Sequence, residues 1–160
     1  MGYAKVVAFL VIVLLWHSPG GARAQDISNG TGLEVENYSF VCIIIETLPE
    51  GATEVGLTKD RVLPRVELRL RQAGLHPGEQ RSGECLYVSI NVVGQAFSVH
   101  LAFLRWVSYV VGENRQLRVH AATWNTGGAG THGRDSEYIV QGLDRHLDQF
   151  VNEYLKANGR

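Results

Sequence analysis

The feature that most constrains this chain is a mirror in its middle. Leu86, Val88, Ile90 and Val92 alternate with Tyr87, Ser89 and Asn91. After Gly94-Gln95, Phe97, Val99, Leu101 and Phe103 alternate with Ser98, His100 and Ala102. Period-two alternation marks a strand with one covered face, and two such runs about a two-residue turn read as a hairpin. Pairing Val93 with Ala96 sets Phe97, Val99, Leu101 and Phe103 opposite Val92, Ile90, Val88 and Leu86. A slip of one residue would turn the apolar set to the other face, so the pattern selects this register.

The rest of the chain supplies what that hairpin needs to be covered. Phe40 to Ile45 is apolar on both faces, as a central strand is, and the strand is read over Tyr38 to Leu48, ending at Pro49-Glu50-Gly51. Thr58 to Ala73 is read as a helix with Val62, Val66, Leu70 and Ala73 on one face and Gly74 placed to close it. Pro64 predicts an irregular start, with regular helix from Pro64 onward. His76-Pro77-Gly78 and the polar residues to Gly83 are expected to form a loop. The second hairpin strand is read to Val110, Gly112-Glu113-Asn114 as a turn, and Gln116 to Thr126 as a fourth strand whose register the pattern does not fix. Thr126 to Arg134 is expected to be a glycine-rich loop. Asp135 to Ala157 is read as a helix striped by Ile139, Leu143, Leu147, Phe150, Tyr154 and Leu155. The order strand, helix, three strands, helix gives an α+β two-layer sandwich: a four-stranded mixed sheet with two helices on one face.

The N-terminus reads as an export signal. Lys5 precedes an apolar run from Val6 to Trp16, followed by Pro19-Gly20-Gly21 and by Ala22-Arg23-Ala24. A short charged start, an apolar segment and an A-x-A site make a cleavable signal peptide over 1–24. A membrane span needs about 20 apolar residues, so no membrane anchor is expected after cleavage. Residues 25–37 are read as a flexible leader before a single domain over 38–158. Asn29-Gly30-Thr31 and Asn37-Tyr38-Ser39 are formal glycosylation sequons, meaningful only in a eukaryotic secretory route. Cleavage removes two basic and no acidic side chains, leaving a net charge of −3 with histidine neutral. No nucleic-acid partner is expected of that balance. The basic cluster Arg61, Arg65, Arg69 and Arg71, interleaved with Asp60 and Glu67, reads as a solvated helix face. Cys42 and Cys85 are either a disulfide, as an oxidising compartment favours, or two buried free thiols.

Familiar chemistries find little footing. Gly128-Ala129-Gly130-Thr131-His132-Gly133 matches G-x-G-x-x-G but lacks the strand-and-acid context of a dinucleotide site. No zinc-ligand spacing is present, and no cofactor is expected. Counting with Val111 opposite Arg115 places His100 opposite Thr126 and His120 opposite Trp106, about 20 Å apart at strand rise. No metal is expected between them. Asp144 and Asp148 read as a solvated helix face.

Four stretches are familiar together: Thr58-Lys59-Asp60-Arg61-Val62 with Gln72-Ala73-Gly74-Leu75; Leu86 to Val92; Ala122-Thr123-Trp124-Asn125; and Phe150 to Asn158. They resemble a group of small exported bacterial proteins without assigned activity, over roughly Val41 to Asn158. More loosely, the element order is similar to envelope α+β domains such as the amino-terminal domain of the Tol–Pal translocation protein and the curli-secretion lipoproteins, though the lipoprotein cysteine is missing. The resemblance implies a periplasmic or secreted role and carries over no catalytic residue. The reading is a non-enzymatic domain that binds an envelope protein or itself through the helix-free sheet face, with Tyr87, His100, Leu104, Trp106 and Trp124 as the surface. The alternative is a small-ligand or anion-binding module, or a small hydrolase, at the loop from Gly127 to Arg134, using Thr131, His132 and Arg134.

Overall fold

The computed structural model describes residues 30–36, 39–78, 83–112 and 115–160, so the signal peptide, Asn29, Asn37 and the turn residues Glu113 and Asn114 lie outside the described residues. The mirrored pair sits at the centre of a five-stranded sheet. In chain order the elements are β1 (Phe40–Ile45), α1 (Glu50–Glu54), α2 (Lys59–Gln72), β2 (His76–Gly78), β3 (Cys85–Val93), β4 (Ala96–Val111), β5 (Arg115–Thr131) and α3 (Ser136–Ala157). The spatial order is β2-β1-β3-β4-β5. β1 is parallel to both its neighbours, and β3-β4-β5 is an antiparallel meander.

The α+β class holds, but the sheet has five strands where four were expected. The extra strand is His76–Gly78, whose Pro77-Gly78 reads as a turn by residue type. It runs beside Phe40–Cys42 as an edge strand, where proline's missing N–H costs no ladder bond. The β3–β4 register is the expected one, with all four apolar pairs in place. They form the core with Val62, Val66 and Leu70 of α2 and Ile139, Leu143, Leu147, Phe150 and Tyr154 of α3. Two helices were expected. The short α1 is a third, and its Gly51 sits so close to Val92 that a Cβ would meet the Val92 carbonyl oxygen at 2.8 Å.

Several local expectations are corrected. α2 is helical from Lys59 through Pro64. Pro64 and Asp60, whose carbonyl it cannot bond, are both exposed. The basic cluster is a solvated face only in part: Arg61 and Arg71 are exposed, but Arg65 grips Asp144 of α3 through two nitrogens, and Arg69 reaches both Asp144 at 3.8 Å and Asp148 at 3.4 Å. Asp144 is itself buried, and this pairing ties α2 to α3. The glycine-rich segment is strand as far as Thr131. Its glycines make room. A Cβ at Gly130 or at Gly142 of α3 would lie 3.0 or 3.1 Å from the Phe97 ring, and one at Gly128 would lie 3.1 Å from His146 Nε2.

Cys42 and Cys85 occupy directly opposed positions on β1 and β3 and form a disulfide, with Cα atoms 4.4 Å apart. The segment read as a flexible leader is anchored over its described part. Leu33 is fully buried, Thr123 Oγ1 donates to Gly32 O at 2.6 Å, and Asn158 joins Leu33 O and Val35 N at 3.0 Å each. The Glu34 carboxylate accepts the Thr31 backbone N–H, which holds its pKa below the usual carboxylate range.

Candidate functional site

β3 ends its partnership with β4 at the pair Cys85–Leu104, but β4 continues to Val111. From Arg105 onward β4 has only β5 beside it, from the pair Arg105–Ala121 to the pair Val111–Arg115. At about 3.3 Å per residue this two-stranded ribbon reaches roughly 20 Å past the rest of the sheet. Alternation and pairing place Val107, Tyr109, Val111, Leu117 and Val119 on one side. Trp106, Ser108, Val110, Gln116, Arg118 and His120 lie on the other. Trp106, Tyr109, Val110, Val111 and Val119 are exposed, Trp106 by 47% and Val110 by 68%. A free hairpin is marginal in water, and a cluster of exposed large apolar side chains is the kind of surface that marks an interface.

The base of the ribbon is built to hold it rigid. Trp106 lies against its cross-strand partner His120, ring centroids 5.1 Å apart, and the Arg118 guanidinium sits 5.0 Å over the indole. His120 Nε2 donates to Gly83 O at 2.7 Å. Gly83, at φ +71°, lies under the indole so closely that a Cβ would be 2.5 Å from ring atoms, so glycine is required there. Beside this cluster a cavity of about 470 Å³ is lined by Glu34, Val35, Glu36, Glu84, Arg105, Trp106 and Arg118. Arg105 donates to the Glu34 carbonyl across it. Burial raises the Glu84 carboxyl above the usual range, with Arg105 opposing the shift and Glu36 adding to it. The buried Tyr154 hydroxyl has no hydrogen-bond partner among the described residues, and burial pushes its pKa far up.

Of the surface read from the sequence, Tyr87, His100, Leu104 and Trp106 do share the side of the sheet away from α2 and α3. Tyr87 hydrogen-bonds Glu46, and the Ser89 and Tyr87 hydroxyls lower the Glu46 pKa. Trp124 is a correction: it stands on the helix side. Its ring lies 5.4 Å from that of Phe150, and its Nε1 donates to Glu153 at 2.6 Å. The cause is a bulge. Phe103 pairs with Trp124 and Leu104 with Ala122, leaving Thr123 as the extra residue. The same bulge moves His100 opposite Gly127 instead of Thr126, while Trp106 remains opposite His120 as counted. Tyr109, Val110, Val111 and Val119 were missed. The signal was strand length: a strand read as 85–93 cannot flank one that runs to Val110, so the excess must overhang.

Thr131, His132 and Arg134 do not converge on one point. Thr131 ends β5 opposite Ala96. His132 is buried, its Nδ1 accepting the Arg134 backbone N–H at 3.0 Å and its Nε2 donating to Gly94 O at 3.0 Å. Both ring nitrogens thus clasp the β3–β4 turn to the end of β5. Arg134 is exposed at φ +70°. The α3 N-terminus is capped by the Asp135 carboxylate, which accepts the Glu137 N–H at 2.8 Å. A smaller cavity of about 160 Å³ lies nearby, where β5 from Gly128 to Thr131 meets Tyr138, Gln141, Arg145 and His146. Burial and Arg145 push the His146 pKa down. Among the described residues no group of three or more His, Cys, Asp or Glu is placed to hold a metal ion, and no helix is long and apolar enough to cross a membrane. The chain matches no family model, no curated protein and no solved structure, so its function must be read from the geometry.

Proposed function

We propose that this chain is an exported, non-enzymatic binding domain that engages a protein through the distal β4–β5 ribbon. The observation that carries the reading is the exposure of Trp106, Tyr109, Val110, Val111 and Val119 on one rigidly based projection. In the body of the domain, side chains of the same kind form a continuous core. The export signal over 1–24 and the Cys42–Cys85 disulfide support a role outside the cytoplasm. The alternative centred on Thr131, His132 and Arg134 is less well supported, because both His132 nitrogens and the α3 N-terminus are already satisfied within the chain.

The test is photo-crosslinking in the exporting cell. A crosslinker at Val110 is expected to give a discrete protein adduct. One at Leu68, an exposed apolar position on α2, is expected to give none. Equal labelling at both positions, or none at Val110, removes the reading.

A further inference from the structure

We infer that the occupant of the ribbon is a second copy of this chain, paired antiparallel along the free edge of β4 from Arg105 to Val111 about a two-fold axis at Ser108. The inference rests on the reading of the ribbon as a binding surface and names its partner.

The two strands of the ribbon are differently composed, and the difference says which edge is meant to be covered. On β5, Arg115 opens the strand, and Gln116, Arg118 and His120 alternate with Leu117, Val119 and Ala121. Charges spaced along an edge strand are a common protection against pairing. On β4, Trp106-Val107-Ser108-Tyr109-Val110-Val111 has no charge, no proline and no glycine, and it is apolar on both sides. That is the composition of a central strand, and left bare it is a template for another strand. Yet among the described residues β4 has β5 on one side here and no strand on the other. The missing neighbour belongs on the β4 edge.

The segment is complementary to itself. An antiparallel pairing centred on Ser108 sets Val107 across from Tyr109 of the second copy, Trp106 across from Val110, and Arg105 across from Val111. Aromatic against β-branched side chains are among the favoured cross-strand pairs. A two-fold axis makes each of these contacts twice with one surface. The same axis lays the tip of each ribbon beside the base of the other, where the 470 Å³ cavity opens. Gly112 at the tip, at φ +65°, has no side chain to obstruct that approach. The tip residue Arg115 then comes to the side of the cavity, where the three carboxylates of Glu34, Glu36 and Glu84 outnumber the two guanidiniums of Arg105 and Arg118.

The experiment uses the purified, exported chain. Sedimentation velocity is expected to give a dimer. Ser108→Cys, a near-isosteric change at an exposed site, is expected to form a disulfide-linked dimer under a mild oxidant, because directly opposed antiparallel residues have Cα atoms about 4.5–5.5 Å apart, within disulfide reach. Val119→Cys, on the outer strand, is expected to remain unlinked. Tyr109→Lys should weaken the dimer by at least about tenfold with an unchanged circular dichroism spectrum. A dimer linked through Val119→Cys and not through Ser108→Cys overturns the edge pairing. A monomer whose edge-facing amides at 105–111, those not bonded to β5, exchange freely overturns the second copy while leaving the ribbon open to another protein. A monomer with those amides protected overturns both readings, since the ribbon is then covered by its own chain.

Discussion

β4 passes through two environments without changing its conformation. From Ala96 to Leu104 it lies between β3 and β5 with α3 beneath it, and Leu101 and Phe103 are fully buried. From Arg105 to Val111 it keeps β5 but loses β3, and Val110 is 68% exposed. The residue types are alike in the two halves. Burial therefore depends on how far the neighbouring elements reach, not on the strand itself. The proximal half packs into the core, and the distal half leaves its large apolar side chains exposed.

Substitution tests that contrast most directly. Phe103→Ala removes a ring 5.9 Å from Phe150 and 5.6 Å from Tyr154 and should cost about 3–5 kcal/mol. Tyr109→Ala should stay within about 0.5 kcal/mol. Chemical denaturation at concentrations low enough to keep the chain monomeric checks both, and similar costs would erase the distinction. Reducing the Cys42–Cys85 disulfide, which staples β1 to β3 across a separation of 43 residues, should cost roughly 2–4 kcal/mol. Hydrogen exchange is expected to rise in 85–93 and to stay unchanged in 105–111. Tyr154→Phe removes an unpaired buried hydroxyl from the proximal core. It should leave stability unchanged or raise it by under about 1 kcal/mol, and a clear loss would reveal a partner for that hydroxyl.

The smallest effect is at the junction of the two halves. The Glu84 pKa is raised in the folded chain, so the unfolded chain gives up this proton first as pH rises. Stability therefore declines from the ordinary carboxylate pKa, about 4.3, up to the raised folded value. Glu84→Gln should flatten that decline in pH-dependent melting and raise stability at neutral pH. A steeper decline in the variant would reverse the assignment.

Much of the fold was legible because the relevant forces are local and periodic. The alternation about Gly94-Gln95 set the β3–β4 register, and Gly74 closes α2 at φ +76° as its position implied. The stripe from Ile139 to Tyr154 faces the core. What was misread depends on neighbours. His76–Gly78 is a strand only because β1 lies beside it. Asp144 reads as solvated until Arg65 arrives from another helix. Thr123 has no composition that marks a bulge, yet it moves Trp124 to the helix side. For the candidate site, Trp106, its pairing with His120 and the overhang of β4 past β3 were within reach of the sequence, whereas the bareness of that overhang among the described residues was not.

By itself, then, the sequence determined which residues alternate and which helix faces are apolar, because each is a property of spacing along the chain. Only the tertiary structure decided that no other described strand lies beside β4 past the end of β3, which divides a continuous sixteen-residue strand into a buried half and an exposed one. Burial is a relation between segments far apart in sequence, and spacing along one strand does not encode the reach of another.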